Sequence, residues 1–277
     1  MQEYISRNID KELIAWKDDS MRKPLLLRGA RQVGKSSAVR HFGREFKYFA
    51  EVNFERHKAI KTFFQGDIDV HMIAQKISNY IKVPMVAGET LLFFDEIQEC
   101  PEAIMALRFF KEDYPELHVI AAGSLLEFTL EELPTFGVGR IHSLFMYPMT
   151  FDEFLVANKE EGLISMRNES DGQHPIGTAF HEKLIEYFRI YLLVGGMPES
   201  VLAWIKTHDF NRCKNIQEDI VLTYEDDFGK YKKRVNPDLL RTTMRGICHL
   251  AGEKLSFSTI SKDYRSSQIR EAIRLLT

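Results

Sequence analysis

A glycine-rich motif near the start of this chain limits it to few folds. The motif fits G-x-x-x-x-G-K-[S/T] at every fixed position, and its residues are Gly29, Ala30, Arg31, Gln32, Val33, Gly34, Lys35 and Ser36. An apolar run at 24–29 leads into the motif and ends at its first glycine. A helical pattern follows the motif. The segment therefore predicts a strand, a tight loop and a helix in that order.

Each fixed residue of the motif has a chemical role in binding phosphate groups. Glycines let successive backbone N–H groups point at one anion, and the start of the next helix adds positive potential. Lys35 is long enough to reach the β- and γ-phosphates of ATP, and the Ser36 hydroxyl can ligate Mg²⁺. We therefore expect residues 29–36 and Ser37 to bind ATP with Mg²⁺. The alternative is a glycine-rich turn without a ligand.

Two adjacent carboxylates follow an apolar run in the order Leu91-Leu92-Phe93-Phe94-Asp95-Glu96. This is the layout of a Walker B segment, in which a buried strand ends at the binding edge of a parallel sheet. Asp95 is predicted to hold Mg²⁺ together with Ser36, and Glu96 to polarise the water that attacks the γ-phosphate. Taken alone, the pair also fits an ordinary solvated turn.

Ser124 and Arg140 are further candidates for catalysis. The apolar run His118–Ala122 ends in Gly123-Ser124, which predicts a polar sensor near the γ-phosphate. A turn serine or a helix cap explains Ser124 almost as well. Arg140 begins the last apolar run and could supply positive charge to a neighbouring subunit, or form only a surface ion pair.

The pattern of apolar runs predicts an α/β fold with a largely parallel, five-stranded sheet. Helical patterns such as Ala103–Asp113 separate several of the runs, which lie at 24–29, 48–54, 90–94, 118–122 and 141–147. After about Phe151 helical periodicity replaces the strand signals. We therefore divide the chain into an ATPase core at 1–150, a helical subdomain at 151–234 and a C-terminal segment at 235–277.

The C-terminal segment begins after a basic stretch and the boundary Asn236-Pro237. Its pattern predicts a helix, a short helix at Ser258–Tyr264, a turn at Arg265–Ser266 and a last helix from Ser267, as in a winged-helix domain. DNA contact is one prediction from its cations, which are Lys262, Arg265, Arg270 and Arg274. Asp263 and Glu271 in the same segment oppose it, and a protein-docking role is the alternative.

Composition excludes several classes of protein. The net charge of −3 is not that of a strongly basic chain, so a nucleic-acid contact would need a local patch. Three cysteines without a CxxC pair predict reduced thiols and argue against a cysteine-based zinc site. The sequence holds no apolar stretch long enough to span a membrane, so we expect a cytoplasmic protein without membrane contacts.

The motifs GARQVGKS, FFDEIQ, AAGS, YPMTFDEF and YLLVGGMPE occur in this order along the chain. In this the chain resembles a group of bacterial and archaeal predicted AAA-type ATPases, relatives of STAND and origin-recognition ATPases. The resemblance implies a P-loop (AAA+-like) domain, a helical lid and a winged helix. It also implies that Gly196-Met197-Pro198 packs against the adenine and that Arg7 lies near the base or ribose. A helix C-cap followed by a proline in the next helix explains the same residues.

The chain stops inside the predicted last helix, without wing strands, so the sequence predicts an incomplete polypeptide. Lid arginines of other AAA+ enzymes have no clear match, which leaves ring assembly, a homo-oligomer or another protein partner open. Three functions compete: an ATPase that drives a conformational switch, a nucleotide-bound switch or DNA-associated adaptor with little hydrolysis, and a small-molecule kinase. Glu96 argues against the kinase because it suits activation of water.

Overall fold

The computed structural model of the protein describes residues 4–123, 139–231 and 235–276. These residues fall into two compact units, Met1–Cys213 and Lys214–Thr277. The boundary between the units lies within one long helix, Phe210–Asp227.

Five parallel strands form the sheet of the first unit, which confirms the predicted fold class. In chain order they are β1 (Leu25–Arg28), β2 (Tyr48–Asn53), β3 (Thr90–Asp95), β4 (His118–Ala122) and β5 (His142–Phe145). Their order across the sheet is β2-β3-β4-β1-β5. Because β4 lies between β1 and β3, the carboxyl end of β4 lies between the strand ends that carry the glycine-rich loop and the acidic pair.

Alternating side chains of the strands fill two hydrophobic layers, one on each face of the sheet. Leu26, Leu92 and Phe94 belong to one layer. The other layer contains the alternate residues of the same strands, which are Leu25, Leu27, Leu91 and Phe93. Strand side chains point to opposite faces in turn, so continuous apolar runs are needed where both faces are covered. This explains why the strands could be predicted from the sequence.

Helices pack on the sheet and continue beyond it in the first unit. Their bounds are α1 (Ile9–Asp18), α2 (Lys35–Phe42), α3 (Val70–Ile81), α4 (Pro101–Asp113), α5 (Phe151–Ala157), α6 (Glu161–Glu169), α7 (Thr178–Val194) and α8 (Pro198–Thr207). Helix α9 (Phe210–Asp227) follows. Short 3₁₀ segments lie at Gly43–Glu45, Lys58–Phe64, Ile97–Glu99 and Phe228–Tyr231. We refer to α5–α8 as the lid helices.

The lid helices are joined to the sheet by the chain that leaves β5. The Met149 N–H donates to the Gly196 carbonyl at 2.7 Å, and the Tyr191 hydroxyl donates to the Met149 carbonyl at 2.8 Å. Phe154 packs on Tyr191 with ring centroids 5.5 Å apart. A capping box between Thr150 and Glu153 fixes the start of α5.

The second unit contains α10 (Pro237–His249), α11 (Phe257–Ile260) and α12 (Ser266–Leu276). Its core is formed by Phe228, Leu239, Leu240, Ile260, Ile269 and Ala272. The predicted helix Ser258–Tyr264 is wrong in extent, because α11 ends at Ile260 and the Ser261 hydroxyl accepts from Asp263 N–H in the following turn. The last helix starts one residue earlier than predicted.

Candidate nucleotide-binding site

The glycine-rich loop connects β1 to α2 and has the backbone conformation that its glycines permit. Gly29 and Gly34 have φ values of +136° and +100°, which L side chains rarely adopt. A Cβ atom at Gly29 would collide with the carbonyl oxygen of Met146, so only glycine fits there. Gln32 also adopts a positive φ of 64°. Backbone N–H groups in a turn of this kind can point at one anion.

Lys35 is the first residue of α2 and is buried at the centre of the loop. Its ammonium group donates to the carbonyls of Gly29 and Ala30 at 2.7 and 2.8 Å. Burial lowers the pKa of Lys35 to about 8, although the nearby carboxylates Glu96 and Asp95 act in the opposite direction. A cation that is costly to bury here would gain from a polyanion.

Asp95 ends β3 and is the centre of a hydrogen-bonded cluster. The Ser36 hydroxyl donates to its Oδ1 at 2.8 Å, while Arg40 and Asn53 donate to its Oδ2 at 3.3 and 3.2 Å. Arg40 also forms a bidentate ion pair with Glu51. Burial raises the pKa of Asp95, and the hydrogen bonds from Ser36 and Asn53 oppose that rise. The carboxylate is therefore oriented from both oxygens.

Glu96 follows Asp95 with a left-handed backbone, φ 52° and ψ 47°. The Gln98 amide donates to its Oε2 at 2.7 Å. Both carboxylates line a cavity of about 250 Å³ that the loop residues 31–32 and 34–37, Gly123, Pro198 and Glu199 complete. The topology has brought the sequence-predicted residues of three separate segments to one cavity.

A second cavity of about 230 Å³ adjoins the first and shares Gly34, Ser37, Pro198 and Glu199 with it. Most of its exposed surface is apolar and includes Ile5, Met146 and Leu202, while polar and charged side chains, among them three arginines, complete the lining. The two cavities together offer a polar end and an apolar end on either side of Gly34. That polarity matches a nucleotide, whose phosphates and base differ in the same way.

Tyr4 and His41 form a stacked pair in the wall of the second cavity, with ring centroids 4.1 Å apart and an interplanar angle of 15°. The Tyr4 hydroxyl donates to Asp10 Oδ1 at 2.5 Å. Burial and this carboxylate raise the pKa of Tyr4. The pair provides a fixed aromatic surface beside the loop.

Arg7 and Pro198, both singled out by the resemblance, line the second cavity. Pro198 is the first residue of α8, after a helix cap at Gly195 with a φ of 71°. Gly195 therefore caps α7, while Pro198, three residues later, lies close to the glycine-rich loop. Arg7 directs its guanidinium group to protein acceptors, among them the carbonyl of Val33.

Of the remaining two candidates, one falls outside the described residues and the other lies on the surface. Ser124 and the predicted helix Leu125–Leu130 fall outside the described residues, although Gly123 lines the first cavity. Arg140 precedes β5 by two residues, is 54% exposed and forms an ion pair with Glu112 on α4. An exposed pair of this kind contributes little to stability.

Asn53 and Arg40 are site residues that the sequence analysis missed. Asn53 ends β2 and lies opposite Asp95 in the parallel register of β2 and β3. Asn53 is a polar residue at the end of an apolar strand, and the same signal predicted Asp95. Arg40 lies four residues after Ser36 on α2, a spacing that puts both on one face of a helix.

Comparison with protein-family models assigns the core of the chain. Residues 21–155 match a family described as an AAA domain, and this range contains the loop, the acidic pair and all five strands. Residues 185–277 match a domain of unknown function (DUF8612), which starts within α7. The chain thus matches an AAA-domain model over its core and a second family model over its C-terminal region.

Solved structures are similar to this protein at low identity. They include PCH-2 from C. elegans (14% identity, TM-score 0.41, 78% of this chain and 67% of that chain). The ORC1 protein of Aeropyrum pernix in complex with DNA has 13% identity and a TM-score of 0.39, and 100% of this chain and 85% of that chain are covered. Drosophila ORC bound to DNA has 12% identity and a TM-score of 0.43, with 96% and 84% covered. A search of curated proteins found no match.

Two further observations concern bilayers and thiols. Among the helices in the described part of the chain, none combines the length and apolar character that crossing a bilayer requires. Cys100, Cys213 and Cys248 are free thiols, of which the first two are buried and the third is exposed.

Proposed function

We propose that this AAA protein hydrolyses ATP with Mg²⁺ and uses the cycle to change the position of its lid helices. The observation that carries the proposal is the 2.8 Å hydrogen bond between Ser36 and Asp95 at the mouth of the glycine-rich loop, with Glu96 in the same cavity. A hydroxyl and a carboxylate that converge beside a phosphate-binding loop are the protein ligands expected for a nucleotide-bound Mg²⁺.

The donor set fits this metal. Ser36 and Asp95 offer the hard oxygen atoms that Mg²⁺ prefers, and only these two side chains are required because phosphates and water supply the other positions. Within the described residues no cluster of three or more His, Cys, Asp or Glu forms an all-protein metal site. Bound Mg²⁺ would neutralise charge on the phosphates, and Ser36 and Asp95 would hold it.

The residues of the chain divide the remaining work. Loop residues Gly29 to Ser37 would bind the phosphates through backbone N–H groups, and the Lys35 ammonium would turn from the Gly29 and Ala30 carbonyls to the γ-phosphate. Glu96 would accept the proton of the attacking water. The Gln98 amide, which donates to Glu96 Oε2, would orient that carboxylate.

Pro198 connects the site to the lid. It lines both cavities and starts α8, so a base bound in the apolar cavity would contact the lid directly. Closure of the lid on nucleotide is therefore the proposed conformational switch. The alternative, a nucleotide-bound switch with little hydrolysis, uses the same contacts and differs only in the rate at Glu96.

Steady-state phosphate release together with ATP titration tests the proposal. Glu96→Gln is expected to bind ATP as wild type does while phosphate release falls about 100-fold, the scale of a lost general base. Glu99→Gln is the matched control, because Glu99 lies three residues away and forms an exposed pair with Lys61. Lys35→Ala should lose binding. ATP binding without measurable phosphate release in wild type would favour the switch with little hydrolysis, whereas equal, measurable turnover in wild type and Glu96→Gln would remove Glu96 as the base.

Partners and domain roles are proposed from features outside the two cavities. Lys262, Arg265 and Arg270 are exposed in the second unit, which suits contact with DNA phosphates, whereas Arg274 pairs with Glu271. Arg140 would act as a finger only in an oligomer, and its pair with Glu112 would then have to open. The division at 1–150, 151–234 and 235–277, a winged-helix role for the last part, Ser124 as a sensor and a cytoplasmic location also remain proposals.

A further inference from the structure

Arg7 lies buried between the glycine-rich loop and the first lid helix. Its side chain is 5% exposed, and its Nη1 donates to the Val33 carbonyl at 2.9 Å. Its Nη2 donates to the Tyr147 carbonyl at 2.7 Å, and its Nε donates to Glu153 Oε1 at 3.0 Å. One planar group thus joins the loop, the chain that leaves β5 and the start of α5.

Glu153, the partner of Arg7, is held from several sides. Its Oε1 also accepts from the Asn8 N–H at 2.7 Å, and its Oε2 accepts from the Thr150 N–H at 2.8 Å. The Thr150 hydroxyl accepts from the Glu153 N–H in return. The glutamate therefore fixes the start of α5 and the residue after Arg7 at the same time.

The burial of this pair gives it one geometry. Neither charge can regain water if the other moves away, since both side chains are about 5% exposed. The guanidinium group is a rigid fork that meets several acceptors at defined angles, which a lysine ammonium does not reproduce. Movement of α5 would therefore be felt at Val33.

Val33 lies next to the second glycine of the loop. A Cβ atom at Gly34 would lie 3.8 Å from Arg7 Nη1 and 3.6 Å from Pro198 Cγ. Arg7 and Pro198 at the start of α8 thus both lie close to the turn that leads into Lys35. The curvature of this turn sets the direction of the backbone N–H groups that would bind phosphate.

We infer that Arg7 is a positioning residue that holds the loop in its nucleotide-binding curvature and, through Glu153, ties that curvature to helix α5. The inference rests on the proposed function, because it concerns the same nucleotide site. Through Phe154 and Tyr191 the position of α5 reaches α7. Arg7 would thus make nucleotide affinity depend on the position of the lid.

Nucleotide titration of folded variants tests this role. Arg7→Lys keeps the positive charge beside Glu153 but cannot reach the carbonyls of Val33 and Tyr147 together. We expect its ATP and ADP affinities to fall about tenfold, the effect of losing hydrogen bonds from a charged donor. KM for ATP should rise by the same factor while kcat changes less, because the residue acts on binding.

Two further variants separate positioning from general stability. Arg7→Met/Glu153→Gln removes the buried charges as a pair, keeps an acceptor for the α5 cap and should fold while binding as weakly as Arg7→Lys. Arg167→Lys is the matched control, since Arg167 on α6 forms a partly exposed ion pair with Asp152, the residue before Glu153 on α5. Its affinity should stay within twofold of wild type.

The outcomes distinguish the two proposals. Weak binding by Arg7→Lys and the double variant, with thermal midpoints near that of wild type, supports the positioning role. If either variant is folded and binds as wild type does, the role of Arg7 is overturned while the proposed function stands. If the wild type itself binds neither ATP nor ADP, the proposed function fails, and the inference fails with it.

Discussion

At the scale of single residues, the site is a balance between buried charges. Lys35 and Asp95 are both buried, and hydrogen bonds to protein groups stabilise each charge in place of water. Burial lowers the pKa of Lys35 and raises the pKa of Asp95, so each charge is less favourable here than in water. A bound phosphate with its metal would offset the cost of burying both charges. The protonation and hydrogen bonding of the site would therefore respond to the ligand.

The lowered pKa of Lys35 predicts proton uptake on binding. As pH rises through about 8 the free protein loses the Lys35 proton, whereas bound phosphates favour the charged form. ATP affinity should therefore fall above pH 8, and at pH 8 binding should take up about half a proton per nucleotide. Titration calorimetry in buffers of different ionisation enthalpy measures this number. Binding heats independent of buffer at pH 8 would contradict the assignment to Lys35.

At the scale of elements, the lid is attached to the sheet by close backbone packing at Gly196. A Cβ atom there would collide with the Met149 carbonyl oxygen and lie 3.0 Å from the Met149 nitrogen. The same two residues share the hydrogen bond from Met149 N–H to the Gly196 carbonyl. The glycine therefore sets how closely α8, and with it Pro198, approaches the cavities.

Gly196→Ala is expected to push α8 away from the chain after β5. The cost should be on the order of 1–3 kcal/mol, as for other overpacked positions, and ATP affinity should fall because Pro198 moves with α8. Thermal unfolding and ATP titration measure the two effects. Gly162→Ala is the matched control, because a Cβ there meets open space and alanine favours its helix, α6. Equal behaviour of both variants would show that the contact at Met149 is not limiting.

The elements themselves were largely predictable, and their long-range contacts were not. Strand β4 was predicted to the residue and β3 to within one residue, since apolar runs in a parallel sheet have sharp polar ends. The glycine-rich loop and the pairing of Ser36 with Asp95 also followed from motif chemistry. The bond from Arg7 to Glu153 spans 146 positions, and no local pattern encodes such a contact. Asn53 was missed for a different reason, because its strand ends in a single polar residue rather than a pair.

At the scale of the whole molecule, the chain has two units with hydrophobic clusters of their own. The second unit, Lys214–Thr277, is built around a cluster of three helices and the Phe228 segment. Both cavities are lined by residues of the first unit, Met1–Cys213. A nucleotide bound there should therefore stabilise the first unit by mass action and the second only if both unfold together.

The two tryptophans make this difference measurable. Trp16 and Trp204 are both buried in the first unit, so tryptophan fluorescence reports its unfolding alone, whereas far-UV circular dichroism reports the helices of both units. At 100 times its Kd, ADP should stabilise the first unit by about 2.7 kcal/mol, which corresponds to about 5–10 °C in the fluorescence midpoint. The dichroism melt should separate into two steps, one of which does not move. Lys35→Ala should show no shift by either probe. Equal shifts of both probes in wild type would mean that the two units unfold as one cooperative body and that the C-terminal region senses nucleotide through its stability.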